Sequence, residues 1–152
     1  MSEEEKNSDE TPEVIKDLVL VLDPDKLNLK VINQILTEDY EVHLAASVRE
    51  ALRVVDNYPI KVIVAEQSLA RMTAIEFFEE LEETGNYSTR IVMTDFKGHA
   101  VASKALEQKK IFFILIKPVD VMRLKQRSPA AIEDFEKRGG KPHVKRNLDD
   151  LF

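Results

Sequence analysis

Continuous apolar runs and stripes of helical period alternate along most of this chain. Asp17-Leu18-Val19-Leu20-Val21-Leu22, Lys61-Val62-Ile63-Val64-Ala65-Glu66, Arg90-Ile91-Val92-Met93 and Ile111-Phe112-Phe113-Ile114-Leu115-Ile116 are short, nearly uncharged and rich in β-branched residues. Runs of this kind predict strands covered on both faces, as in parallel sheets. The alternating segment Glu41-Val42-His43-Leu44-Ala45 predicts one more strand. Between the strands, Leu27, Val31, Ile32, Ile35 and Leu36 recur at helical spacing and predict a helix over residues 26–38. Val48, Leu52 and Val55 mark a second helix, which Asn57-Tyr58-Pro59 ends because the residue before proline is pushed out of helical geometry. Ile75, Phe77, Phe78 and Leu81 mark a third over residues 73–83, a fourth covers 97–109, and a fifth follows Asp120 over 121–126. Ser47 with Glu50, and Thr73 with Glu76, read as capping boxes, and Gly85-Asn86 reads as a helix stop.

Five strands alternating with five helices predict an α/β, doubly wound parallel sheet with helices on both faces and right-handed crossovers. The pattern changes after Arg127. Ser128-Pro129 resembles an N-cap followed by proline at the first helical position, so a short extra C-terminal helix is expected over 128–138, closed by Gly139-Gly140. The expected organisation is an acidic, disordered tail over 1–16, a body over 17–127, the extra helix, and a flexible tail over 139–152. That last tail carries a basic run and ends in Leu148-Asp149-Asp150-Leu151-Phe152.

Composition narrows the function classes. A chain of 152 residues is expected to form one domain. It has no cysteine, which excludes disulfides and thiolate metal sites. No run approaches the ~20 apolar residues of a membrane helix, and the N-terminus lacks a secretory pattern, so a cytoplasmic protein without membrane contact is expected. A formal net charge of −6 argues against nucleic acid as the partner. His43, His99 and His143 lack metal-ligand spacing, so no metal site is expected from them.

In open parallel sheets, ligands bind beyond the carboxyl ends of the strands. Those ends carry Asp23 and Asp25 after the first strand, Glu66 at the end of the third, Thr94 and Asp95 after the fourth, and Lys117-Pro118 after the fifth. Acids, a hydroxyl and a lysine on one sheet edge suit a hard cation, a phosphoryl group or a set of ion pairs.

On these residues the chain resembles the receiver (CheY-like) domain of bacterial two-component response regulators. The resemblance covers about residues 17–126, through Leu22-Asp23-Pro24-Asp25, Val64-Ala65-Glu66, Met93-Thr94 and Ile116-Lys117-Pro118. It implies a flavodoxin-like fold with strand order 2-1-3-4-5. It also implies a pocket in which an acidic pair holds Mg²⁺, an aspartate after the third strand accepts phosphate from a phosphohistidine, and a Ser/Thr and a Lys-Pro read the modified state. Asp23, Thr94, Lys117 and Pro118 match the family pattern. Glu66 stands at the phosphoacceptor position, and Pro24 stands where the second acid of the pair belongs.

Phosphoryl transfer depends almost wholly on positioning and electrostatics. The extra methylene of Glu66 displaces a carboxylate by ~1 Å, a misplacement that costs on the order of 10²-fold. Pro24 removes a ligand from an ion that holds few, so Mg²⁺ binding is expected to be weak or lost. The expected function is that of a stand-alone pseudo-receiver, not an enzyme, which signals by phosphorylation-independent protein–protein interaction. Glu66 then either imitates a phosphorylated aspartate or pairs with Lys117. By the resemblance, the contact face is the fourth helix, fifth strand and fifth helix, toward a protein partner or a second copy of the chain. The alternatives are a working phosphorelay receiver, modified with Mg²⁺ by a histidine kinase, and, ranked last, a nucleotide- or small-molecule-binding doubly wound domain. The last lacks a glycine-rich first turn.

Overall fold

The computed structural model describes residues 15–143. Five strands, β1 Leu18–Leu22, β2 Glu41–Ala45, β3 Val62–Glu66, β4 Thr89–Thr94 and β5 Phe113–Ile116, alternate with five helices. The helices are α1 Lys26–Leu36, α2 Val48–Asn57, α3 Ala74–Glu83, α4 His99–Glu107 and α5 Val121–Arg138. All strand pairs are parallel and the order is β2-β1-β3-β4-β5, as expected from the sequence.

Alternation within the apolar runs divides the core into two layers. Val19, Val21, Val62, Val64, Ile91 and Met93 face α1 and α5, where Leu29, Ile32, Leu36, Leu124 and Ile132 complete a buried cluster. Leu20, Leu22, Ile63, Ala65 and Val92 face the other way, onto Ala51 of α2, Phe77, Phe78 and Leu81 of α3, and Ala102 and Ala105 of α4. Because β1, β3 and β4 are buried on both sides, they show no polar alternation, which is why they read as continuous runs. Every strand therefore delivers its last residue to one common edge.

Local signals hold with two corrections. Thr73 and Glu76 close a complete capping box at α3. At α2, Ser47 caps Glu50 N–H, but the Glu50 carboxylate reaches back past Ser47 and accepts from Ala46 N–H at 2.7 Å. Ser128-Pro129 does not start an extra helix: α5 runs unbroken for 18 residues with Pro129 inside it. Tertiary packing overrides the local start signal. Leu124, Ala131 and Ile132 all enter the same core layer, so one continuous helix buries them together. Pro129 lies on the exposed side of the helix, away from the core layer that its neighbours enter. Ser128 is buried, and its hydroxyl donates to Leu124 O at 2.7 Å instead of capping a new helix.

Of the expected tails, 1–16 and 139–152, all but 15–16 and 139–143 lie outside the described residues. Gly139 ends α5 in the left-handed conformation (φ 59°). The next residues turn back on the body, and His143 Nε2 lies 2.8 Å from Asp134 Oδ2.

Candidate functional site

Three of the strand-end residues meet at the carboxyl edge of the sheet. Asp23, at 1 % exposure, is fully enclosed just past β1. Its Oδ1 accepts the Asp25 amide at 2.9 Å, and its Oδ2 accepts both Asn28 Nδ2 at 2.7 Å and Lys117 Nζ at 2.8 Å. Glu66 ends β3 half-buried. Its Oε1 lies 2.7 Å from Lys117 Nζ, while its Oε2 accepts the Ser68 amide at 2.6 Å. Lys117 thus joins the ends of β1 and β3 from its place after β5. Burial pulls its pKa down, but the bonds to Asp23 and Glu66 outweigh that and hold it above the ordinary lysine value. The Lys117-Pro118 peptide is cis.

The remaining members are turned elsewhere. Asp25 is the N-cap of α1 and accepts from Leu27 and Asn28 amides at 3.0 and 3.3 Å, so its carboxylate stabilises the helix start instead of lining the pocket. Thr94 is buried at the end of β4, and its hydroxyl donates to Asp95 O at 3.0 Å. Asp95 in turn accepts the Gly98 amide at 3.0 Å. Gly98 presses on the same hydroxyl: a Cβ placed there would sit 2.2 Å from Thr94 Oγ1. The turn before α4 therefore needs glycine for clearance and holds Thr94 in place. Beside it, Gln67 is buried with its side-chain oxygen unpartnered.

Sequence reasoning missed Asn28 and Gly98. Asn28 sits three residues beyond the N-cap Asp25, on the turn that faces Asp23, and that spacing was the available signal. Nothing in the sequence marked Gly98 as a wall against Thr94.

The magnesium ion implied by the resemblance does not fit these residues. A hard cation takes oxygen ligands in near-octahedral array. Here the Lys117 ammonium stands against both inward carboxylates, Pro24 offers no ligand and Asp25 caps its own helix. Among the described residues, no group of three or more His, Asp or Glu is arranged to hold a metal ion.

Comparison with known proteins gives the same frame. Residues 19–128 match the family model of the response regulator receiver domain. A curated relative, the hydrogenase transcriptional regulatory protein HoxA of Cupriavidus necator, is 25% identical over 100 residues; the alignment takes in 66% of this chain but only 21% of that protein. Among solved structures, the chain is similar to a CheY-like response regulator receiver domain protein from Methanospirillum hungatei JF-1. That match has a TM-score of 0.70 and 24% identity and covers 81% of this chain and 98% of that one. It is also similar to an adenylate cyclase structure from Rhodopirellula baltica, with a TM-score of 0.75 and 22% identity, covering 84% of this chain and 95% of that one. At those identities the structures speak for the fold. With the family model spanning most of the sheet and all of its strand ends, this chain belongs to the response regulator receiver family.

Proposed function

We propose that this receiver works without phosphorylation, as a protein-interaction module whose phosphate switch is replaced by a fixed ion pair. The observation that carries this reading is the shared lysine: Lys117 Nζ lies 2.7 Å from Glu66 and 2.8 Å from Asp23, filling the space between the two carboxylates. A carboxylate already bonded to an ammonium and to its own loop amide is a poor nucleophile, and an ammonium beside both acids opposes a divalent cation. Thr94 supports the pairing role of Glu66 over phosphate mimicry, because its hydroxyl is given to Asp95 O and not to Glu66.

The contact surface in this reading is formed by α4, β5 and α5. Val101 of α4 and Met122 of α5 are exposed, as is Phe96, at 83 %, in the turn that leads into α4. Incubation with acetyl phosphate and Mg²⁺, followed by intact mass, tests the chemistry. No phosphoryl gain is expected. A gain that disappears in Glu66→Gln overturns the reading in favour of a working phosphorelay receiver. Glu66→Ala separates the two roles of the carboxylate: unchanged partner affinity fits pairing, and a loss of affinity with the fold intact fits mimicry.

A further inference from the structure

Two arginines on α5 lie over Phe112 and Phe113, at the start of β5. The Arg123 guanidinium is 5.2 Å from the Phe113 ring centroid, and that of Arg127 is 4.4 Å from the same ring and 5.9 Å from Phe112. One helical turn separates the two arginines, which puts them side by side, roughly 6 Å apart. Phe113 is buried and Phe112 half-buried, so the rings are fixed and the guanidiniums rest on them from the solvent side. Stacking uses the flat face of a guanidinium and leaves its N–H edge pointing outward, in the fork that matches a carboxylate. It also orders a flexible side chain in advance, which lowers the entropy lost on binding.

Among the described residues these forks have no acid of their own: the α5 cations in ion pairs are Lys125, Lys137 and Arg138. The acid beside them, Asp120, is occupied as the N-cap by the amides of Met122 and Arg123, each at 3.1 Å. Among the described residues the two arginines are without an ion pair, a local excess of positive charge in a chain of net charge −6. The two forks are complementary in charge and in shape to a pair of carboxylates, and the nucleic-acid alternative is an arm of the test below.

We propose that the Arg123–Arg127 pair, held on Phe112 and Phe113, is the recognition site for a carboxylate-bearing segment of a partner protein, with two acids spaced to meet the two forks. The site rests on the reading of α4, β5 and α5 as the contact surface and supplies the chemistry of the partner. Acids four residues apart on a helix, or two apart on a strand at ~6.6 Å, meet the spacing.

The test is an NMR titration of the whole 152-residue chain with poly-L-glutamate of about fifteen residues, following the arginine Nε–H and the backbone amide signals. Poly-L-glutamine and an oligothymidylate of equal length are the parallel arms. Poly-L-glutamate is expected to shift Arg123 and Arg127 first. Arg123→Gln with Arg127→Gln is expected to weaken binding at least tenfold with an unchanged melting temperature. Arg123→Lys with Arg127→Lys, which keeps charge but loses the fork, is expected to fall between. Equal binding of poly-L-glutamine or of the oligothymidylate overturns the proposal, as does full retention of binding by the glutamine pair. Shifts confined to Phe96 and Val101 overturn the arginine site but keep the contact surface. Shifts away from α4, β5 and α5 altogether remove both.

Discussion

At the carboxyl edge of the sheet one lysine serves two carboxylates; at the amino edge one carboxylate serves three donors. Lys117 holds Asp23 and Glu66. Asp134, near the end of α5, accepts from Thr89 Oγ1 at 2.6 Å, Arg138 Nη2 at 3.0 Å and His143 Nε2 at 2.8 Å. Arg138 also donates to Tyr87 O and to Lys141 O, so the chain past α5 is tied to the start of β4. The hub is a cation at one edge and an anion at the other. Losing a spoke leaves the hub paired with the others, whereas losing a hub takes one partner from every buried group around it at once.

The largest effect is therefore expected from Asp134→Ala. It takes the acceptor from the buried Thr89 hydroxyl and the counter-charge from half-buried Arg138, which keeps only Thr89 Oγ1 and two backbone carbonyls, and is expected to cost about 2–3 kcal/mol in urea unfolding. Lys117→Met comes next, at about 2 kcal/mol, because enclosed Asp23 keeps only Asn28 and the Asp25 amide. If Lys117→Met costs nothing, the carboxyl-edge hub is not structural and the contrast fails. Gly98→Ala is expected to cost about 1–2 kcal/mol by driving a Cβ into Thr94, and Thr94→Ala in the same chain should return much of that, a coupling read from a double-mutant cycle. Glu66→Gln removes a spoke and should cost under about 1 kcal/mol, since Lys117 keeps Asp23.

The two edges are also expected to fail at opposite ends of the pH scale. Lys117 has a raised pKa, so its contribution is complete below the ordinary lysine value and is lost as pH rises through the raised one. The Asp134 pKa is pushed up by burial but pulled further down by Thr89, His143 and Arg138, so its contribution is complete above the ordinary aspartate value and is lost as pH falls through the lowered one. Burial, and then Arg138, lower the His143 pKa, so folding favours its neutral form and acid weakens the amino edge earlier still. Amide exchange compared at mildly acidic and strongly alkaline pH should show β4 loosening from its Thr89 end in acid, and Lys117 and its neighbours loosening in alkali.

Much of the carboxyl edge was legible because each of its residues follows an apolar strand, and parallel strands must end together. Asp23, Glu66 and Lys117 converge as their positions require. Asp25 and Thr94 were placed at the right edge, but a helix cap and a glycine contact turn their polar atoms elsewhere. The amino-edge network was not legible. Thr89 and Asp134 lie 45 positions apart, and neither stands in a pattern that points to the other. The Ser128-Pro129 signal misled because local start chemistry is worth little against three core residues spaced to continue the same helix.

Helix α5 begins just past Lys117-Pro118 and ends at Arg138, so it spans the distance between the two hubs, roughly 27 Å for its 18 residues. Pro129 removes one rung of its hydrogen-bond ladder near the middle. In solvent exchange this divides the helix into two reporters on a single rod. Amides before Pro129 follow the integrity of the family pocket, and those after it follow the clasp around Asp134, so one helix records separately which end of the domain has opened.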